Sequence, residues 1–423
     1  MKQSLALEIM KSGENVLLTG AAGAGKTYVL NEFISQSKSV GKSVATTATT
    51  GLAATHLNGC TIHSWAAIGI NDELKPNFFD FLPKSRIKSI VTADVLIIDE
   101  VSMLHDYRLD MIDTILRKVR GKDSPFGGIQ IVLCGDFFQL PPINRSSSGQ
   151  SHFVINSSSY QDLDPVVCYL EEQHRQDDEA YLGVLNAIRA GEVSKDHFDL
   201  LMSRLNAELS IGNDATALHT TNVDVDSMNS KRLKLIKEDE HHYEASVTGK
   251  ANYVETLKRS CLALDDLVLK EGALVMCIKN NQERRFVNGS LGRVIGFDEE
   301  NNYPIVKLLN NRVITVAPEV WELRDGDKKN AGLEQIPLRL AWAMTVHKSQ
   351  GMTLDAARID LRRSFVAGMG YVALSRIKNL DGLSLLGLND LALKVSDEAL
   401  EIDNQLASKS KRDVAKYSGL LNK

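Results

Sequence analysis

The strongest constraint on this chain is one turn near its start, Gly20-Ala21-Ala22-Gly23-Ala24-Gly25-Lys26-Thr27, a G-x-x-x-x-G-K-T pattern. The apolar run Asn15–Thr19 before it reads as a buried strand, and a helical pattern begins near Lys26. Glycines in such a turn let backbone N–H groups wrap a β-phosphate, and the helix N-terminus adds its positive dipole end. Lys26 would neutralise the β- and γ-phosphates, and the Thr27 hydroxyl would bind Mg²⁺. The competing reading is a glycine turn followed by a chance Lys-Thr, and the strand–turn–helix setting argues against it.

The rest of the first half repeats the strand–helix alternation. Ser43–Thr47, Val95–Ile98 and Ile129–Cys134 read as further strands, near-continuously apolar, which points to a parallel sheet covered on both faces. Residues 66–93 break the pattern and read as an insertion, with Lys75, Pro76, Phe78, Phe79, Phe81 and Pro83. The three phenylalanines form either a wedge against a duplex or the insertion's own small core, with core favoured for each. Val166–Leu170 is expected to open a second α/β region, followed by a strand at Thr216–Thr220 and a helix N-cap at Asn222. Between 243 and 335 the alternating segments Ala273–Ile278, Gly292–Phe297 and Pro304–Leu309 lie among Gly and Asn turns such as Asn288-Gly289. That is the pattern of a small β-barrel module inserted in the second unit. The α/β pattern returns with Ala356–Leu361 and Leu383–Leu386, and the end reads as a helix with a solvated charged tail, Lys409–Arg412. The expected domains are 1–65 with 94–165, the insertion 66–93, 166–242 with 336–395, the module 243–335, and the C-terminal helix and tail 396–423.

Composition narrows the class. With 423 residues, 43% hydrophobic and 24% charged, the chain is globular and long enough for two to four domains. No apolar run approaches the ~18 residues of a membrane span, and the first residues lack a secretory signal's apolar core. The net charge of −5 excludes a histone-like protein but leaves room for a local nucleic-acid groove. Five scattered cysteines without a C-x-x-C suggest neither zinc nor disulfides, and reduced thiols point to a cytoplasmic setting.

More chemistry clusters at strand ends. Asp99-Glu100 closes an apolar strand, where one carboxylate can reach Mg²⁺ through water and the other can polarise an attacking water. Gln139, in Gly135-Asp136-Phe137-Phe138-Gln139-Leu140-Pro141-Pro142, can hydrogen-bond the γ-phosphate and that water. The Asp-Glu pair and the lack of an N-K-x-D sequence favour hydrolysis at a site that does not read guanine. Arg175 and Arg376 are either surface residues or clamps for developing phosphoryl charge, since a guanidinium holds two oxygens at once. Thr61, His63, Ser64 and Trp65 offer hydroxyls, an imidazole and an indole for phosphates and bases, with a core aromatic the equal alternative for Trp65. Thr345, His347 and Lys348 repeat that chemistry in the second α/β unit.

These segments together resemble the Pif1-like branch of superfamily 1B helicases, which move 5′→3′ on single-stranded DNA. The resemblance runs nearly end to end and is most specific in TATTGLAATHLNGCTIHSW, SPFGGIQIVLCGDFFQLPP, AMTVHKSQGMTLD and GYVALSRIKNLDGL, with LKEGALVMCIKNN…RFVNGSLGRVIGF similar to the family's SH3-like module. It implies an α/β fold of two RecA-like parallel-sheet domains, with a small pin insertion in the first and an SH3-like β-barrel insertion in the second. It implies ATP and Mg²⁺, Gln3 reading adenine, and Gly20, Gly23, Gly25, Lys26, Thr27, Asp99, Glu100, Gln139, Arg175 and Arg376 at the nucleotide. It places Thr61, His63, Ser64, Thr345, His347 and Lys348 along the single strand. Expected partners are single-stranded DNA and single-strand/duplex junctions, with G-quadruplex DNA a further candidate, for a chain that is monomeric when free and not at a membrane. Two departures stand out: Met369 replaces a usual glutamine before the YVALSR helix, and the turn reads GAAGAGKT rather than GPAGTGKS. A RecD-like helicase and an ATP-gated single-strand binding switch are the other readings.

Overall fold

Six parallel strands build the first sheet: β1 (Val16–Gly20), β2 (Val44–Ala48), β3 (Cys60–Thr61), β4 (Val95–Asp99), β5 (Gln130–Cys134) and β6 (Val166–Leu170), in the order β3-β2-β4-β5-β1-β6. The structure is a computed structural model describing all residues except 58, 70–71, 143–152, 173–177, 211–214, 222–224, 262, 280–285, 287, 289, 310, 326–327 and 423. The expected cap at Asn222 lies outside the described residues. The runs Val16–Leu18, Val95–Ile98 and Ile131–Cys134 are buried throughout because the central strands have both faces covered. The helix Lys26–Ser39 turns Val29, Leu30, Phe33 and Ile34 onto this sheet, where they join Leu5, Ile9 and Met10 of the helix Gln3–Lys11.

The described residues divide into two compact units: 1–174 with 322–330 and 397–423, and 175–321 with 331–396. This corrects two sequence expectations. Val166–Leu170 does not open the second α/β region; it pairs parallel with β1, Val16 against Val166, as the edge strand of the first sheet. Periodicity identifies a strand but not the sheet it joins. Nor is the charged tail, Lys409–Arg412, solvated throughout: Lys411 and Arg412 are exposed, but Ser410 is buried. The helix Asp397–Tyr417 belongs to the first unit, with Ala399, Ile402, Leu406 and Ser410 buried. Asp413 accepts from the backbone N–H of Val167 (2.8 Å) and Ser410 from that of Tyr169 (3.1 Å), and Lys409 pairs with Asp164. The stripe is amphipathic, and its short polar side chains stand in for a seventh strand.

The second unit contains a four-stranded parallel sheet, ordered Ala343–Thr345, Thr216–His219, Ala357–Leu361, Leu383–Leu388. A separate five-stranded antiparallel sheet carries Val313–Thr315, Pro304–Leu308, Leu291–Phe297, Leu274–Cys277 and Leu338–Leu340 in that order. Parallel and antiparallel architectures thus segregate by segment, as the sequence pattern implied.

Candidate nucleotide and strand sites

The Gly-rich turn leaves β1 and enters the helix Lys26–Ser39 through three left-handed glycines, Gly20 (φ +145°), Gly23 (+89°) and Gly25 (+82°). A Cβ at Gly20 would stand 2.6 Å from the carbonyl oxygen of Leu170, so β1 can turn beside β6 only with glycine there. The Lys26 amine donates to the carbonyls of Gly20 (2.8 Å) and Ala21 (3.0 Å), which holds it across the loop. Gln3 reaches the same loop: its amide donates to the Ala24 carbonyl at 3.1 Å, while its backbone N–H donates to Glu172. Thr27 is the second residue of the helix.

The acidic pair closes β4. Burial pushes the Asp99 carboxyl upward from the usual carboxylate range, against the Glu100 N–H, the Cys134 thiol and the Lys26 charge, which all favour the anion. Glu100 stands at φ +52°, a left-handed conformation uncommon for a residue with a Cβ, which among the described residues it shares with Ala67, Phe126, Asp164, Asn206, Asn302 and Asn311. Thr49 fixes it from β2's end, its hydroxyl donating to the Glu100 carbonyl (2.8 Å) and its N–H to the Asp99 carbonyl (3.1 Å). Gln139 lies buried on the loop leaving β5, where its amide donates to Asp136 at 3.4 Å. Thr49 and Cys134 were missed in the sequence; the register Ile98↔Leu133 between β4 and β5 is what sets Cys134 beside Asp99.

A hydroxyl and a half-buried, incompletely compensated carboxylate are hard oxygen donors of the kind Mg²⁺ takes. Thr27 and Asp99 therefore fit the expected ion. Among the described residues there is no cluster of three or more His, Cys, Asp or Glu side chains that would hold another metal.

The two arginines fare differently. Arg175 lies outside the described residues. Arg376 is 1% exposed within the second unit, where its guanidinium donates to the Val372 carbonyl (2.9 Å) and the Ser375 hydroxyl (2.9 Å). Met369 is fully buried at the start of the helix Met369–Leu374. An apolar core contact thus stands where the resembled family has an amide.

The strand-contact candidates need correction. Trp65 is 4% exposed and is a core aromatic, not a stacking platform. Thr61 spends its hydroxyl capping the short helix Ile62–Trp65, accepting from the Ser64 N–H. Thr345 is 2% exposed, and its hydroxyl accepts from the Lys348 N–H, which ties it to the turn that carries His347 and Lys348. His63 accepts from Arg108 at 2.8 Å and is neutral; burial, then Arg108 and His105, lower its pKa to about 4. It offers no positive charge to a phosphate. Ser64 lies 3.5 Å from Arg86. Burial lowers the pKa values of His347 and Lys348, and the His347 ring lies nearly parallel to the exposed Phe365. In the insertion, Phe78 and Phe79 pack edge to face, whereas Phe81 is 76% exposed and belongs to no core. A cavity of about 470 Å³ among His219, Thr220, Asp360, Arg362 and Arg363, at the ends of two parallel strands, had no sequence signal.

Comparison with known proteins agrees with this geometry. The family model for PIF1-like helicase matches residues 2–197, and that for the DNA helicase Pif1 2B domain matches 252–297. The chain is 41% identical to the ATP-dependent DNA helicase Pif1 of Psychrobacter sp., over 96% of this chain and 70% of that one. It spans 61–64% of the longer vertebrate proteins named ATP-dependent DNA helicase PIF1. The crystal structure of Bacteroides sp Pif1 in complex with ADP-AlF4 is similar at a TM-score of 0.84 and 29% identity, covering 96% of each chain. That of Bacteroides Pif1 with ADP-AlF3 and ssDNA gives 0.67 and 31%, covering 97% of each. Turn, acidic pair, sheet order and these likenesses coincide over nearly the whole length: the chain belongs to the Pif1-like helicase family.

Proposed function

We propose that this chain, an ATP-dependent DNA helicase by family, moves 5′→3′ along single-stranded DNA and opens the duplex ahead of it. The observation that carries the reading is the acidic pair: a half-buried Asp99 in the field of Lys26, beside a Glu100 held in a left-handed conformation. Strain of that kind persists where surrounding structure enforces it, and Thr49 does so here.

In the proposed cycle the Gly20–Gly25 backbone receives the phosphates and Gln3 receives the adenine. Thr27 and Asp99 would hold Mg²⁺, which would supply neutralisation of phosphate charge. Glu100 accepts a proton from the attacking water, worth ~10²–10⁴ in rate, while Gln139 orients it. Arg376, and Arg175 by sequence alone, would meet the γ-phosphoryl charge as it develops. Ser64, His347 and Lys348 are the residues left to touch the strand, and Phe81 is the wedge candidate on its exposure. G-quadruplex DNA as a substrate and a monomeric free state rest on the resemblance, and a cytoplasmic setting on five buried cysteines that form no disulfide. Among the described residues no helix is long and apolar enough to cross a membrane.

The test uses duplexes with 5′ or 3′ single-strand tails. The chain should unwind only the 5′-tailed form, with ATP turnover stimulated by oligo-dT, and Lys26→Ala or Glu100→Gln should abolish both activities. ATP hydrolysis at one rate with and without oligonucleotide would sink the proposal.

A further inference from the structure

Arg108 lies in the first turn of the helix Asp106–Arg120, outside the four segments in which the family resemblance is most specific. Its guanidinium is held on two edges. Nη1 donates to His63 Nε2 at 2.8 Å, and Nη2 pairs with Asp72 Oδ1 at 3.0 Å. The Nε–H is buried and has no hydrogen-bond partner among the described residues. Arg108 itself is only 14% exposed, but the carboxylate covering it is 56% exposed. Tyr107 steadies that carboxylate, its hydroxyl donating to the same Oδ1 at 3.0 Å.

The three anchors come from three functional segments. His63 belongs to the segment proposed to line the strand, Asp72 to the insertion, and Arg108 to the helix that follows the acidic pair. A neutral imidazole fixes the guanidinium without neutralising it. Among the described residues it is Asp72 that pairs with its charge, from an exposed position on an inserted segment. A carboxylate and a phosphodiester present the same paired oxygen acceptors to a guanidinium.

We propose that Arg108 is a contact for a phosphate of the single strand, and that Asp72 occupies its place in this structure. Arrival of the strand exchanges the carboxylate for a phosphate and releases the beginning of the insertion from the helix. The ion pair is then a latch that the nucleic acid opens. His63 is a positioning residue within it, which explains why the strand-lining segment carries a histidine too buried to be a cation. The inference rests on the reading that the strand passes Ser64, in the segment that holds His63.

The test is a double-mutant cycle on oligo-dT binding, read by fluorescence anisotropy over a series of salt concentrations. Asp72→Asn should tighten binding about two- to fivefold, the range of an exposed ion pair. Tyr107→Phe loosens Asp72 but also removes a hydroxyl that neighbours the Arg108 guanidinium, while keeping the ring beneath it, so it should act in the same direction by less. Arg108→Gln should weaken binding and reduce the slope of log K against log salt by about 0.7, one phosphate contact on a single strand. In the Arg108→Gln background, Asp72→Asn should have no further effect. If Asp72→Asn leaves binding unchanged or weaker while the wild-type chain binds, or if the two effects add, the latch is refuted. If the wild-type chain does not bind oligo-dT at any salt, the strand-path reading fails first and the latch with it.

Discussion

The backbone N–H of Glu100 donates to Oδ1 of Asp99 at 2.8 Å, and Glu100 holds φ +52° and ψ +42° in doing so. The proposed metal-holding carboxylate and the proposed base are thereby one rigid unit. The bond keeps one Asp99 oxygen occupied and fixes the other's direction.

That conformation costs about 1–2 kcal/mol for a residue with a Cβ. Glu100→Gly should therefore raise the unfolding free energy by about 1 kcal/mol, less the flexibility glycine adds to the unfolded chain. It should also abolish ATP turnover. Glu100→Gln should abolish turnover without the gain. Urea unfolding of the two variants beside the wild type separates strain from chemistry. A destabilised Glu100→Gly would mean that the left-handed position is not strained.

His63 gives a pH dependence with a definite sign. Its pKa falls from 6.5 to about 4, through burial first and then the charges of Arg108 and His105. Asp72 and Tyr107 complete the groups around Arg108. Between those two pH values the unfolded chain binds a proton at this residue and the folded chain does not. Stability is thus lost as pH falls through the window, by about 2 kcal/mol at pH 4.5. His63→Gln keeps an acceptor for Arg108 and removes the titration. The stability gap between wild type and variant, from urea unfolding at pH 7 and pH 4.5, should shift by that amount in the variant's favour. A constant gap would contradict a neutral, buried imidazole.

Much of the nucleotide site was legible because its chemistry is local in sequence. Gly20 to Thr27 needs a strand before it and a helix after it, and both can be read from periodicity. Asp99-Glu100 follows four apolar residues, which is enough to place it at a strand end. The strand-contact residues were harder, since a hydroxyl or an indole reads the same whether it meets a ligand or its own fold. Thr61 and Thr345 turned out to cap turns, Trp65 to fill the core, and His63 to accept from a residue 45 positions away. Arg108 carries no motif at all, and only the folded chain brings it to His63. The boundary between the units was misread for the same reason: β6 looks like any buried strand until its partner is known.

Gly370 offers a steric test of the helix that leads to Arg376. A Cβ there would stand 1.8 Å from the carbonyl oxygen of Ala392, a backbone atom that no side-chain rotation can move. The same helix is tied down by Tyr181, whose hydroxyl donates to the Leu374 carbonyl at 2.8 Å. Gly370→Ala should cost at least about 2 kcal/mol, as overpacking against fixed backbone does, and should reduce ATP turnover with it. Thermal unfolding and ATPase assays on Gly370→Ala and on Gly183→Ala make the comparison. Gly183 has open space where its Cβ would go, so its replacement should be harmless or mildly stabilising within its helix.

The C-terminal helix should prove essential to the first unit although it follows the second in the chain. β6 is an edge strand, and an open edge invites pairing with another chain. Asp413 and Ser410 occupy its Val167 and Tyr169 N–H groups, Asp403 takes the Tyr169 hydroxyl, and Val414, Tyr417 and Leu420 pack on the core beneath. Ser410→Ala removes one acceptor for a backbone donor and should cost about 1–3 kcal/mol. Ending the chain at Ser396 removes all of these contacts and uncovers apolar core. The shortened protein should therefore associate with itself, seen as an increase in mass by light scattering, and should bind a hydrophobic dye that the full chain does not. A monomeric, dye-negative product with unchanged melting temperature would show that β6 needs no cover and that the helix only lies against it.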